Sequence, residues 1–484
     1  MNTQVIRLFG LIVVLFAVLV GFTSRWSVFE AEALRDEDEN KRVLLEQQQI
    51  RRGTIFAADG TVIARSVQRG RGNDRIFTRR YPLGSLFGHP IGYSFTELGQ
   101  SAFEQFHNDE LVGAEAEFAT LLDELRGYRQ EGDDIVSTLF PSAQQTALEA
   151  LGGQRGAVVA IEPQTGKVRA LVSFPPFDPN QVARPGQYSK LNRDNSAPLL
   201  DRATQSGYPP GSTMKVVTAT AALDTGEFTP ASVVNGDTGI PIDGVPLANS
   251  GGASFGPIDL TTALTNSVNT VWAQVAEAVG TDTYFEYMGR YGFGKDPPID
   301  LPDDELAPSG VYEEGSLIGP GQPVDIGRVG IGQERLFVTP IQMATVVATV
   351  ANGGERMRLS LWERVVDPDG RVVRRFDPRA EEEVMSPETA ATLNEMMQSV
   401  VNEGTGTAAA LSGIDVAGKT GTAEVPGREE CAGLPNQAWF IGFAPADDPQ
   451  VAVAATVECT TGQGGTVAAP IAKSVMEAVL AEQG

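Results

Sequence analysis

Three short signatures follow one another along the chain, and together they restrict its fold more than any bulk property does. The first is Ser212-Thr213-Met214-Lys215, where the loop Tyr208-Pro209-Pro210-Gly211 meets an apolar, helix-like run. The second is Ser267-Val268-Asn269, and the third is Lys419-Thr420-Gly421-Thr422. A serine and a lysine three apart on a helix share one face. That sets an amine beside a hydroxyl, the neighbour that a serine nucleophile needs. Singly, each signature has an ordinary reading. Ser212 would cap a helix that exposes Lys215, Ser267 and Asn269 would be cap formers, and the third would be a Thr/Gly-rich surface strand. Their joint presence and order favour a single site to which all three contribute.

The chemistry of such a site follows from residue type. Ser212 is the expected nucleophile. Lys215 acts as its base only if neutral, so burial or nearby positive charge must lower its pKa; Lys419 supplies such a charge. Ser267 can relay a proton between the lysines and a leaving nitrogen, and Asn269 can bond a substrate amide. Residues 416–424 read as a strand. Gly421 leaves room there for another backbone to approach, so an extended peptide can pair with the strand edge. The Lys419 cation and the hydroxyls of Thr420 and Thr422 suit a substrate carboxylate.

Composition removes the main rivals. The chain has 484 residues, with 20% charged and 42% hydrophobic, which suits two or three folded domains. Its net charge of −25 disfavours a nucleic-acid partner, because phosphate binding needs basic surface. Two histidines, His89 and His107, and two cysteines, Cys431 and Cys459, make a Cys/His metal site unexpected. Neither histidine lies near a G-x-S-x-G elbow, so a histidine-dependent hydrolase is disfavoured. Gly404-Thr405-Gly406 lacks the lysine of a phosphate loop, and Asp303-Asp304-Glu305 lacks calcium-loop spacing. No cofactor is expected. Cys459 falls opposite about Asn436 if 445–449 makes a hairpin. Cys431 in the preceding loop either folds back to pair with it in an oxidising compartment or the two remain separate thiols.

Residues 8–22 are uncharged and almost wholly apolar, nearly enough to span a bilayer when counted from residue 5. No A-x-A-like cleavage site follows, and Thr23-Ser24-Arg25-Trp26 reads as an interfacial flank, so an uncleaved anchor is expected rather than a signal peptide. Arg7 before the run and the acidic stretch Glu30 to Glu39 after it place the amino terminus in the cytosol and the remainder outside. Residues 31–49 read as a charged, helix-prone stalk and 114–132 as a charged helix. Asp59-Gly60 reads as a hairpin turn. A second hairpin is expected from strands at 157–161 and 168–173. Helices are expected at 215–223, 261–266, 269–279 and 339–351, and strands at 416–424, 438–443 and 451–457. A last helix is expected at 467–480. The pattern is that of an α+β fold.

The three signatures together resemble those of penicillin-binding proteins and serine β-lactamases. Arg52-Gly53-Thr54-Ile55 with Asp59-Gly60, Tyr81-Pro82-Leu83-Gly84, Gly156-Ala157-Val158-Val159, and Gly332-Gln333 with Thr339-Pro340 resemble class B penicillin-binding proteins of the actinobacterial A group. The resemblance runs along nearly the whole chain. It implies a single transmembrane helix with its tail over 1–25, an elongated amino-terminal (pedestal) domain over 26–153, and a transpeptidase domain over 154–484. That last domain is implied to be a β-lactamase-like five-stranded antiparallel sheet flanked by helices. The implied reaction is peptidoglycan D,D-transpeptidation in the plasma membrane. Ser212 attacks the D-Ala–D-Ala bond of a stem peptide, and the N–H groups of Ser212 and Thr422 hold the oxyanion. β-Lactams acylate Ser212 as mimics of that dipeptide. The implied protein partners are a SEDS-type glycan polymerase and division or elongation proteins. Val268 stands where the β-lactamase pattern has aspartate, which suits a penicillin-binding protein better. Two rivals share the fold: a D,D-carboxypeptidase or β-lactamase-like hydrolase, and a non-catalytic β-lactam-binding scaffold.

Overall fold

A computed structural model describes residues 3–26, 47–71, 75–113, 130–425, 431 and 433–483. The stretches 31–49 and 114–132, expected as charged helices, lie for most of their length outside the described residues. Helix α1 (Thr3–Ser24) contains an 18-residue window with a mean hydropathy of 2.8. At about 1.5 Å per residue it matches the thickness of a bilayer core. It is the one helix among the described residues that is long and apolar enough to cross a membrane.

The strands that follow include four of one sheet: β1 (Ile55–Phe56), β2 (Val62–Arg69), β3 (Ile76–Arg80) and β4 (Asp134–Ser137). The Asp59-Gly60 turn joins β1 to β2 antiparallel, with Gly60 at φ 87° and Asp59 Oδ1 accepting from the Thr61 N–H at 2.8 Å. Beneath them Glu104 is buried between two guanidiniums, 2.7 Å from Arg52 Nε and 2.6 Å from Arg79 Nε. His89 is buried as well. It lies 3.0 Å from the Pro198 carbonyl, and burial pushes its pKa down to about 4, so it is neutral.

The remaining elements that frame the site are α2 (Pro141–Ala150), β5 (Gly156–Ile161), β6 (Val168–Phe174), α3 (Lys215–Asp224), α4 (Leu260–Thr265), α5 (Asn269–Val279) and α6 (Pro340–Ala351). Next come β7 (Trp362–Val366), β8 (Val372–Arg375), α7 (Pro387–Asn402), β9 (Ala417–Glu424), β10 (Asn436–Ala444), β11 (Val451–Thr460) and α8 (Ala468–Gln483). Strands β9-β10-β11-β5-β6 form a five-stranded antiparallel sheet. Its inner strands are buried on both faces, which is why they read as continuous apolar runs rather than alternating ones. Val158 and Ala160 of β5 point to α8, packing with Val475 and Met476. Val159 and Ile161 point the other way, into a core shared with Met343 and Val347 of α6.

One feature has no counterpart in the sequence reading, which assigns no element to residues 352–415. The β7–β8 hairpin leaves the catalytic half of the chain and joins the amino-terminal sheet, whose order is β8-β7-β4-β1-β2-β3. Val365 lies opposite Ile135 there. The two halves therefore share a sheet rather than merely a linker.

Cys431 and Cys459 are bonded, their Cα atoms 4.8 Å apart, closing a loop of 28 residues that follows β9. A crosslink over a loop of this size restricts the unfolded chain by about 3 kcal/mol. The double variant Cys431→Ser/Cys459→Ser should lose about that much stability in denaturant titration. Adding reductant should have no effect on it.

Candidate active site

The nucleophile turn is tighter than the helix start expected for it. Gly211–Met214 form a 3₁₀ turn, and α3 begins only at Lys215. In a 3₁₀ turn residues i and i+3 eclipse, so Ser212 and Lys215 still share a face. Gly211, Thr213, Met214 and Lys215 are buried, and Ser212 alone is partly open to solvent. The turn is held from three sides. Thr213 Oγ1 donates to the Pro210 carbonyl at 2.8 Å. Trp439 Nε1 on β10 donates to the Pro209 carbonyl at 3.0 Å. The Gly211 N–H donates to the Gly332 carbonyl at 3.0 Å, and a side chain at Gly332 would strike the Gly211 carbonyl.

Helices α4 and α5 meet at the second signature. Ser267 sits at φ +58°, a left-handed conformation that a serine adopts only where its surroundings enforce it. The Ser267 N–H bond to the Leu264 carbonyl and the Val268 N–H bond to the Ala263 carbonyl fix the corner at the end of α4. The result brings Ser267 between the two lysines. Lys215 Nζ donates to the Ser267 carbonyl at 2.7 Å and to Asn269 Oδ1 at 2.8 Å, and lies 3.3 Å from Ser267 Oγ. Lys419 Nζ donates to Ser267 Oγ at 2.8 Å and to the Thr420 carbonyl at 2.9 Å. Asn269 Nδ2 donates to the Ala248 carbonyl at 3.1 Å, which leaves its second N–H for a ligand.

Both amines are fully buried, and burial lowers both pKa values. That of Lys419 falls to about 7. That of Lys215 falls well below the ordinary lysine value, through burial first and then the Lys419 charge. Both causes disfavour the charged form of Lys215, the form that could not act as a base. A neutral amine has two hydrogens, and the Ser267 carbonyl and Asn269 Oδ1 take both. Its lone pair is left free to receive a proton. Ser267 Oγ accepts from Lys419, so its own hydrogen is free to move the other way.

The third signature lies on β9, the edge strand of the five-stranded sheet. Gly421 packs on the nucleophile turn: a Cβ there would lie 2.7 Å from the Pro210 carbonyl and 3.1 Å from the Thr213 nitrogen. Thr420 Oγ1 is 2.6 Å from Thr405 Oγ1, and Thr422 Oγ1 accepts from the Gly464 N–H at 3.0 Å. Thus all eight residues singled out in the three signatures converge on one region. Thr405 and Gly464 join them unannounced. The Gly404-Thr405-Gly406 pattern was the signal available, and testing it only as a phosphate loop missed its packing against Thr265 and Thr420. Gly464 has no sequence signal beyond being a glycine. An alanine methyl there would lie 2.1 Å from the Trp439 carbonyl and 2.3 Å from the Gly421 carbonyl. Backbone offers no rotamer for relief. Gly464→Ala should therefore cost about 1–3 kcal/mol in thermal unfolding and slow labelling by penicillin, because β9 must shift.

Residues 156–477 match the penicillin binding protein transpeptidase domain. Residues 52–135 match the penicillin binding protein A dimerisation domain. The chain belongs to the penicillin-binding protein family. This penicillin-binding protein is 34% identical to the peptidoglycan D,D-transpeptidase PbpA of Mycolicibacterium smegmatis over 504 residues, covering 100% of both chains. It is 33% identical to PbpA of Mycobacterium tuberculosis, over 99% of each chain. The ceftriaxone acyl-enzyme complex of the M. tuberculosis penicillin-binding protein A superposes with a TM-score of 0.80 at 32% identity. That superposition covers 90% of this penicillin-binding protein and 100% of the other.

Proposed function

We propose that the protein is a membrane-anchored peptidoglycan D,D-transpeptidase that works through an acyl-enzyme on Ser212 and is acylated there by β-lactams. The observation that carries this reading is the convergence of two buried lysines on Ser267, beside a turn that leaves Ser212 alone reachable. Ser212 Oγ attacks the carbonyl carbon of the penultimate D-Ala, and its proton passes to neutral Lys215. The N–H groups of Ser212 and Thr422 hold the oxyanion. Lys419, Thr420 and Thr422 bind the terminal carboxylate, Gly421 keeps β9 close to the turn, and Asn269 bonds the stem backbone. The amide then breaks, and the D-Ala nitrogen takes a proton by way of Ser267. The amine of a second stem attacks the acyl carbonyl, forming the new amide and returning Ser212.

Residues 1–25 serve as tail and anchor, 26–153 as pedestal and 154–484 as the transpeptidase domain. The amino terminus is cytoplasmic and the catalytic domain extracytoplasmic. Arg7, within α1 ahead of its uncharged run, and the acidic run that follows the helix in sequence support this orientation, as does the Cys431–Cys459 bond. A SEDS-type polymerase and division or elongation proteins are the proposed partners, resting on the family resemblance.

Incubation with a D-Ala–D-Ala stem peptide and an acceptor stem tests the reaction. A cross-linked dimer by mass is the expected product, and release of D-Ala with no dimer would replace the reading with a carboxypeptidase. The pH profile adds a second check. Above about pH 7 Lys419 loses its charge. Capture of the carboxylate should then weaken, so KM should rise with pH on that limb. Lys419→Arg stays charged throughout and should abolish the limb.

A further inference from the structure

The β2–β3 hairpin carries a charge opposite to that of the protein. Residues 65–80 hold six arginines and one aspartate, in a chain of net charge −25. Arg79 turns inward to Glu104. The others do not. In the hairpin register Arg65 lies opposite Arg80, Val67 opposite Thr78 and Arg69 opposite Ile76, so these six share one face. Arg65, Arg69 and Arg80 are exposed, and none makes an ion pair or side-chain hydrogen bond among the described residues. Like charges directly opposite across two strands are destabilising, and among the described residues no acidic side chain pairs with Arg65 or Arg80 to relieve it. The other face is committed to the domain: Ser66 Oγ donates to the Arg52 carbonyl at 2.8 Å.

The hairpin also touches the described residues that lie nearest to the anchor on its carboxyl side in sequence. Described backbone resumes at Gln47, and the Gln48 carbonyl accepts from the Phe77 N–H of β3 at 2.8 Å. We infer that the Arg65/Arg69/Arg80 face of this hairpin docks on the anionic phospholipid headgroups of the bilayer that holds α1. The inference rests on α1 being a membrane anchor. An open face of guanidiniums with small β-branched side chains between them suits a fluid polyanionic surface better than a shaped ligand. The attraction extends only about 8 Å at physiological salt, and Gln48, on the anchor side of the domain in sequence, is bonded to the hairpin itself. The acidic remainder of the protein is repelled by the same surface, which orients the domain with the hairpin down.

The test uses the full chain in lipid nanodiscs, with p-benzoylphenylalanine in place of Val67, and reads lipid photoadducts by intact mass. Discs containing phosphatidylglycerol should give about tenfold more adduct than phosphatidylcholine discs. High salt, or the triple variant Arg65→Gln/Arg69→Gln/Arg80→Gln, should remove the difference, with penicillin labelling unchanged. Equal yields in both lipids, or no lipid adduct, would overturn the inference. So would a protein adduct in place of lipid when the chain is irradiated in its native membranes. Resistance of the protein to carbonate extraction reports the anchor separately, so loss of the anchor reading is distinguishable from loss of this one.

Discussion

Lys215→Met will acylate with penicillin about 10²–10⁴ times more slowly than the native protein, the range that a positioned general base supplies. Ser212→Ala, as the zero of the scale, will form no adduct at all. Methionine is the informative substitution because it keeps most of the side-chain volume in a fully buried site and removes only the amine. Three interactions go with that amine: those to the Ser267 carbonyl, Ser267 Oγ and Asn269 Oδ1. Ser267 keeps its bond from Lys419, so the corner between α4 and α5 is not left without support. The readout is fluorescent penicillin uptake against time, followed by intact mass to confirm a single adduct on Ser212.

The sign of a further effect separates base from scaffold. In the native protein, burial and the neighbouring Lys419 charge disfavour protonation of Lys215. With Lys215 gone, no neutral amine is poised beside Ser212, and residual acylation depends on hydroxide. At saturating penicillin, where the Lys419-dependent capture step no longer limits, the slow reaction of Lys215→Met should therefore climb with pH while the native rate stays flat. If native and variant profiles keep the same shape and differ only in height, Lys215 is structural and the base lies elsewhere.

The site was legible in the sequence because its chemistry is written in local spacing. Ser212 and Lys215 are three apart, Ser267 and Asn269 two apart, and Lys419 to Thr422 run on one strand. The strands and helices that carry them were legible for a related reason: strand 451–457 and helix 269–279 are apolar in a way only buried elements are. What escaped was non-local. The +58° φ of Ser267 depends on where α4 ends against α5, and nothing in Ser-Val-Asn announces it. Thr405 and Gly464 matter through what touches them, forty and more residues away in the case of Gly464 and Thr422. The β7–β8 hairpin is short and half exposed, and it pairs with a strand more than two hundred residues earlier. Glu104 is a fourth case. Within Phe103-Glu104-Gln105 a charged residue reads as solvent-facing, yet its partners Arg52 and Arg79 bring it wholly inside.

That burial sets the largest stability effect expected outside the active site. Glu104→Gln will destabilise the protein by about 3–5 kcal/mol, the cost of removing one member of a buried ion pair. The glutamine is nearly isosteric, so the effect is electrostatic. Two guanidiniums are left without a counter-charge in a site where Glu104 has no exposure, bonded only to neutral acceptors such as Asn108 Oδ1 and the Gly53 carbonyl. Tyr81 also loses its carboxylate acceptor, 3.1 Å from its hydroxyl. Burial alone would raise the Glu104 pKa, but Arg79 and Arg52 outweigh it and hold the carboxyl below its ordinary 4.5. A carboxylate with a depressed folded pKa contributes its full stability above the unfolded value and loses it as pH falls through the folded one. Native stability should therefore decline from about pH 4.5 downward. Glu104→Gln should lack that part of the acid limb while starting lower at pH 7. Thermal unfolding of both proteins from pH 7 to pH 3 would show it. Parallel curves, or a loss under about 1 kcal/mol at pH 7, would mean that water reaches the two arginines and the triad is not closed. Because β2 and β3 hold Arg79 and the basic face on opposite sides of one hairpin, the same variant should loosen that face as well.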